Sequence, residues 1–183
     1  MGYFAVIDTE TNWHDQVMSI GIVIADEDGF RPITGRYHVL TPEYKVGGMF
    51  SGTLFGDTQL KPILCTREQS MADLLRIMGK YDVERIFAYN ARFDYGHLPE
   101  LQHLDWYDIM RLAAYRQYNP AIGPNADCCT TGRLRRGFGV EAILRMLTDD
   151  CRYHETHNAL DDALDELTIM RLLGHPLSTY IPL

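Results

Sequence analysis

The chain contains no uncharged apolar run of about 18 residues, so nothing in it reads as a membrane-spanning helix. Its start, MGYFAVIDTE, lacks the basic opening, the long apolar stretch and the small-residue cleavage site of a secretory signal. Residue 6 is valine, where a myristoylation signal needs Ser or Thr. The expectation is a cytoplasmic protein that stays off membranes. Paired cysteines are missing too. Cys65, Cys128, Cys129 and Cys151 show no metal-type paired spacing, and without an export signal they are expected as reduced thiols. Cys128, Cys129, Cys151 and His154 carry zinc-type ligand atoms, but adjacent cysteines begin a tetrahedral site badly, so a structural zinc is not favoured. A basic footprint is also absent: 17 Lys and Arg stand against 25 Asp and Glu, a formal charge of −8. A protein gripping long nucleic acid through many phosphates carries excess positive charge. Either nucleic acid is not the ligand, or the contact is short and something else neutralises the phosphate.

What is present fits an ordinary folded domain. The 183 residues, 46 % apolar and 23 % charged, suffice for a sizeable core, and residues 1–183 are expected to form a single domain. FAVI at 4–7, VMSIGIVIA at 17–25 and RYHVL at 36–40 read as strands with short connections, an antiparallel meander. Residues 41–66, rich in Gly and Pro, read as an irregular excursion. Met71, Leu74, Leu75 and Met78 sit at helical spacing between about Glu68 and Lys80. RIFAY at 85–89 is a strand, and a helix beginning near Asp94 is limited or bent by Pro99. LDWYDI leads into a helix from about Asp108 to Tyr118. GFGVEAILRML opens another, and the last, NALDDALDELTIMRLLG, stops at Gly174 and Pro176. A meander followed by alternating helix and strand makes an α/β layered domain with a mixed sheet. No repeat, linker or low-complexity tract interrupts it.

Three places carry acids that invite a question. Asp8 and Glu10 end the first strand and, two residues apart, share one face roughly 7 Å apart along the backbone. Like charges at partly buried positions raise each other's pKa or recruit a counter-ion, although a strand end meeting solvent would also account for them. Asp94 follows FAYNARF near a helix start, where a capping role is the simplest explanation. His157 precedes the last helix, with Asp161 and Asp162 in its first turn, where the helix dipole alone favours acids. The stripe through Asp162 continues to Glu166, Ile169 and Leu173, and that through Asp161 to Asp165, Thr168 and Leu172. The more apolar stripe makes Asp162 the inward one and leaves Asp161 solvated.

Together, FAVIDTET, NARFD and HNALDDA, in this order, resemble the three motifs of the DEDDh 3′–5′ exonucleases, the DnaQ-like group within the ribonuclease H-like fold. The resemblance runs from Phe4 into the last helix. It implies a mixed five-stranded sheet, three antiparallel strands then two parallel ones, flanked by helices. It implies that Asp8, Glu10, Asp94 and Asp162 bind metal and that His157 is the general base. The His, the small Ala159 and the Asp five residues on also select Asp162 over Asp161. The chain departs from the family pattern at NWHD (12–15), at Ser19 and over 41–66, places that bear on substrate choice.

Phosphodiester hydrolysis must stabilise charge on the attacking and leaving oxygens, which two divalent ions do. Four carboxylates suit two Mg2+ ions, and Mn2+ would also fit. A neutral imidazole suits proton acceptance near neutral pH. Bound cations would also explain the scarcity of lysines, and a short grip favours the 3′ end of single-stranded DNA or RNA. Candidate substrate contacts are Thr9, Asn90 and Phe93 within the motifs, and Arg133, Arg135 and Arg136 of GRLRRGFG ahead of a helix. The basic run reads equally well as solvated surface, and Phe93 by itself reads as core. Trp13 could stack on a base, although burial is the preferred expectation. The implied activity is release of 5′-mononucleotides. The alternatives are an oligoribonuclease-like enzyme acting on short RNA, a non-catalytic nucleic-acid-binding or adaptor domain, and a module serving a polymerase. Protein partners and oligomeric state are not legible.

Overall fold

The computed structural model describes residues 2–183. Strands β1 (Tyr3–Thr11), β2 (Val17–Asp26) and β3 (Pro32–Leu40) form the expected antiparallel meander. After the 41–66 stretch, β4 (Ile63–Cys65) pairs parallel with β3. On the other side β5 (Arg85–Ala88) pairs parallel with β1, and β6 (Asp105–Asp108) parallel with β5. The sheet therefore has six strands in the order β4-β3-β2-β1-β5-β6. The sixth beyond the expected five is β4, the end of the segment read as irregular. The rest of that segment makes two short 3-10 turns, Glu43–Val46 and Ser51–Thr53.

Helices cover both faces. They are α1 (Arg67–Lys80), α2 (Arg92–His97), α3 (Met110–Ala113), α4 (Val140–Thr148) and α5 (Ala159–Leu173). Alternation along β1 divides the core into two layers. Ala5 and Ile7 join Ile20, Ile22 and Ile24 under α1 and the α2 region, whereas Phe4 and Val6 join Val23 under α4 and α5. All ten residues of β2 are buried, which is why its sequence is a continuous apolar run rather than an alternating one. Thr66 and Gln69 close a capping box at the start of α1, and Gly174, in the left-handed region, ends α5 where the sequence predicts.

The helix expected over 108–118 is shorter than predicted. DWYD is β6, and α3 lasts one turn. The chain then leaves helix because residues 127–135 offer better partners. Arg116 N–H donates to the Gly132 carbonyl, Leu134 N–H to the Ala114 carbonyl, and Tyr115 bridges to Arg133. Pro99 does limit the preceding helix, which stops at His97.

The seat of α5 positions the site. Gly21 lies opposite Asp8 in the β1–β2 register, and a Cβ there would run into the Ala159 carbonyl. Only glycine lets the start of α5 approach the sheet this closely. Asn158 caps the helix through Leu160 N–H (3.1 Å), while its Nδ2 donates to Tyr37 Oη (2.8 Å) and the Thr53 carbonyl (3.0 Å). One buried side chain thus ties α5 to β3 and to the 41–66 stretch. Gly21→Ala should push α5 off β2. The expected outcome is a loss of about 1–3 kcal/mol in urea unfolding, by overpacking against backbone that cannot turn aside. An unchanged midpoint would show that this close seat is not required.

Candidate metal centre

Asp8 and Glu10 come from the end of β1, which is hydrogen-bonded on both sides up to Val6 and then only to β2. A bulge falls between Glu10 and Thr11, an irregularity common beside functional sites. By alternation both acids project on the face that α5 covers, and Asp162, in the first turn of α5, meets them there. Asp94 arrives on α2 from the opposite layer. It is 2 % exposed and accepts a hydrogen bond from Thr9 Oγ1 at 2.8 Å. Ligand atoms of Glu10, His157 and Asp162 all lie within 4.8 Å of one another.

Burial and mutual repulsion act in one direction on these groups. Asp8 is pushed well above the carboxylate range, first by desolvation, then by Asp94, Glu166, Asp162 and Glu10. Glu10 rises to about 8 through desolvation, Glu155 and Asp94. Asp94 rises to about 7 through desolvation, against the opposing hydrogen bond from Thr9. Asp162 rises to about 9 through desolvation, Glu155 and Glu10. Asp8 Oδ2 and Asp162 Oδ1 are buried with no hydrogen-bond partner among the described residues. Native proteins rarely leave buried polar atoms unpaired. A cluster of carboxylates and one imidazole with orphaned buried acceptors fits divalent cations. Glu10, His157 and Asp162 offer ligand atoms close enough to share one ion, and Asp8 and Asp94 stand beside them as further acids.

His157 is held from the 41–66 stretch. Its ring stacks on Phe50 at 4.0 Å between centroids and 19° between planes, and its carbonyl accepts from Thr53 Oγ1 at 2.6 Å. Its own backbone is left-handed, with φ of 54°. The segment that sequence reading left shapeless is therefore a wall of the site. Phe50 and Thr53 were missed because their partners lie about a hundred residues away. Glu155 and Glu166 were missed as neighbours of the cluster. Glu166 had a signal, its place on the Asp162 stripe, and Glu155 had a weaker one, its position two residues before His157.

The remaining candidates divide. Thr9 is buried and supports Asp94 rather than facing outward. Asn90 is an exposed turn residue with φ of 58°, its N–H donating to Asp108 Oδ1. Phe93 corrects the core expectation. It is 40 % exposed against the His97 ring, because adjacent positions on a short helix diverge by about 100° and Asp94 takes the inward one. Trp13 likewise is 66 % exposed rather than packed. Asn12 Oδ1 accepts from the N–H groups of His14 and Gln16, and the resulting tight turn throws Trp13 outward. The arginine run is not drawn to the acids. Arg133 lies over the Phe138 ring, Arg135 pairs with Asp127 at 3.3 Å, and Arg136 is exposed. Cys151 is exposed, and all four cysteines are free.

Several solved structures share this architecture. The nuclease domain of 3′hExo, a DEDDh family member, bound to rAMP, matches with a TM-score of 0.66 at 15 % identity, over 99 % of this chain and 96 % of that one. A 3′-exonuclease recognising the 3′ end of the histone mRNA stem-loop matches at 0.61 and 14 % identity, over 99 % and 70 %. The zinc-bound complex of E. coli exonuclease I with single-stranded DNA matches at 0.64 and 15 % identity, over 98 % of this chain but 42 % of that one. No protein-family model and no curated protein matches the sequence. The chain thus has the ribonuclease H-like fold of these exonucleases, and the resemblance seen in three motifs extends over the whole architecture. Among the described residues no helix is long and apolar enough to cross a membrane.

The raised pKa values carry a consequence for stability. Between the ordinary carboxylate range near 4 and the folded values of about 7, 8 and 9, the folded chain holds more protons than the unfolded chain. Without cations, stability contributed by these groups is present at the acidic end of that window and is lost as pH rises through it. Divalent ions that bound only the folded arrangement would restore it. The expected result is a thermal midpoint that falls from about pH 6 to pH 9 in chelator, with the fall suppressed by millimolar Mg2+ or Mn2+. A midpoint that is flat in chelator and indifferent to both ions would count against a metal centre.

Proposed function

We propose that this chain is a metal-dependent 3′–5′ exonuclease that hydrolyses the terminal phosphodiester bond of single-stranded nucleic acid and releases 5′-mononucleotides. The observation that carries the proposal is that Glu10, His157 and Asp162 bring ligand atoms within 4.8 Å of one another, with the buried acids Asp8 and Asp94 acting on the same group and buried oxygens of Asp8 and Asp162 lacking partners. The shared fold supports it. The structures of similar fold hold rAMP, an mRNA stem-loop or single-stranded DNA, which supports a nucleic-acid 3′ end as substrate and leaves the sugar open.

In this reading Asp8, Glu10, Asp94 and Asp162 would hold two divalent cations. When bound, these would stabilise charge on the attacking and leaving oxygens. His157, free of any hydrogen bond through its ring among the described residues, accepts the proton of the attacking water. The water oxygen bonds to phosphorus, the bond from phosphorus to the 3′ oxygen breaks, and that oxygen takes up a proton to leave a new 3′ hydroxyl. Phe50 and Thr53 fix the plane and the backbone of His157. Exposed Trp13 and Phe93 flank segments that supply site acids and would offer bases a stacking surface. That suits unpaired strands better than a closed duplex.

Asp8→Asn and His157→Ala should each lower turnover of a 5′-labelled single-stranded oligomer by at least about a thousandfold. Circular dichroism should stay near wild type, and the cation-free unfolding midpoint of Asp8→Asn should be equal to or above wild type. Matched DNA and RNA oligomers, including fragments a few nucleotides long, assign the sugar and the length. Undiminished, chelator-resistant hydrolysis by Asp8→Asn protein would dispose of the mechanism. Absence of hydrolysis in the wild type with Mg2+ and Mn2+ would favour a binding or adaptor role on the same fold.

A further inference from the structure

One acid beside the centre has no part in the four-carboxylate scheme. Glu166 is 1 % exposed, and its Oε2 is buried without a hydrogen-bond partner among the described residues. It lies four residues after Asp162, on the same face of α5 one turn further on. Long side chains in a helix lean back over the preceding turn, so its carboxyl is directed toward Asp162. Desolvation, then Asp94, drive Glu166 upward, Asp162 adds to them, and the Tyr89 backbone N–H opposes. Glu166 in turn is among the charges that raise Asp8.

Packing does not explain a glutamate here. Its neighbours on the helix, Ala163, Leu167, Ile169 and Met170, are all buried and apolar. A buried acid with an unpaired oxygen destabilises a fold, and an apolar residue of similar volume would serve the core better. Glu166, like Asp8 and Asp94, is outside the set of Glu10, His157 and Asp162 whose ligand atoms lie within 4.8 Å of one another, and its place one turn further along α5, at 1 % exposure, sets it behind Asp162.

We propose that Glu166 is a fifth acid of the centre: a positioning residue whose buried carboxylate strengthens divalent-cation binding from behind Asp162 and Asp8. This rests on the metal-centre reading above. Groups that support ligands from behind typically change metal affinity 10–100-fold when removed. A residue kept for the fold would show the opposite pattern, a less stable protein with unaltered affinity.

The test is calorimetric titration of Mn2+ into the full chain, without nucleic acid. It uses wild type, Glu166→Gln, Glu166→Met and, as a reference for a lost ligand, Asp8→Asn. Thermal midpoints in chelator are measured alongside. The expected result is Mn2+ binding about tenfold weaker in both Glu166 variants, with cation-free midpoints equal to or above wild type. Wild-type affinity in the Glu166 variants overturns the inference, as does a lowered cation-free midpoint in both. Either result leaves the four-carboxylate centre standing. Failure of the wild type itself to bind Mn2+ is a different result, and it removes the centre on which the inference rests.

Discussion

Like charges are held close together by this fold, and the elements around them are arranged to resist their repulsion. Two carboxylates separated by 4.8 Å or less, as Glu10 and Asp162 are, repel by about 3 kcal/mol or more when both are ionised at an effective dielectric near 20. Solvent screening lessens this for the partly exposed Glu10, and the raised pKa values lessen it further by retaining protons. What remains must be resisted by backbone that cannot move apart. β1 supplies one side of the resistance, being paired to β2 along its whole length and to β5 near its start. The other side is α5, whose seat needs Gly21 for approach and Asn158 for attachment. Neither residue is among the acids of the cluster, yet both decide where Asp162 stands.

The same argument explains why the acids come from three separated segments. A single helix or strand offers one face, and its neighbouring acids could relax by turning to solvent. Acids from β1, α2 and α5 are fixed by three different anchorages, and Asp94 is further restrained by Thr9 Oγ1. The centre is therefore preorganised by topology, and the parallel addition of β5 beside β1 matters to it directly. It delivers the turn at Asn90 and the start of α2 next to the end of β1.

Much of this was legible in the sequence because it depends on local periodicity. The meander, α1, α5 and the choice of Asp162 over Asp161 follow from spacing of apolar residues, and in the folded chain Asp162 is 3 % exposed while Asp161 is half-buried. The parts that escaped depend on contacts between distant segments. Thr53 meets His157 across 104 positions, and Asn158 meets Tyr37 across 121. No pattern within residues 41–66 announces such partners. The overlong helix after Asp108 failed for a related reason, since helix propensity around 114–118 lost to backbone pairing with residues 127–135. Trp13 and Phe93 escaped through the opposite error. Large aromatics are usually buried, and exposing them goes against that tendency without breaking any local rule.

The 41–66 stretch then acquires a physical meaning that composition alone could not give it. Thr53 donates through its hydroxyl to the His157 carbonyl and accepts through its carbonyl from Asn158, so it bonds to both residues leading into α5. Leu54 is buried, and its carbonyl accepts from Tyr37 Oη, which itself accepts from Asn158. A displacement of residues 50–54 cannot leave His157 where it is, because the ring stack and the backbone bond come from the same short segment. The acids are held by the sheet and by α5, and the imidazole by the excursion. The geometry between them is therefore set by Asn158 together with Tyr37, side chains that join all three.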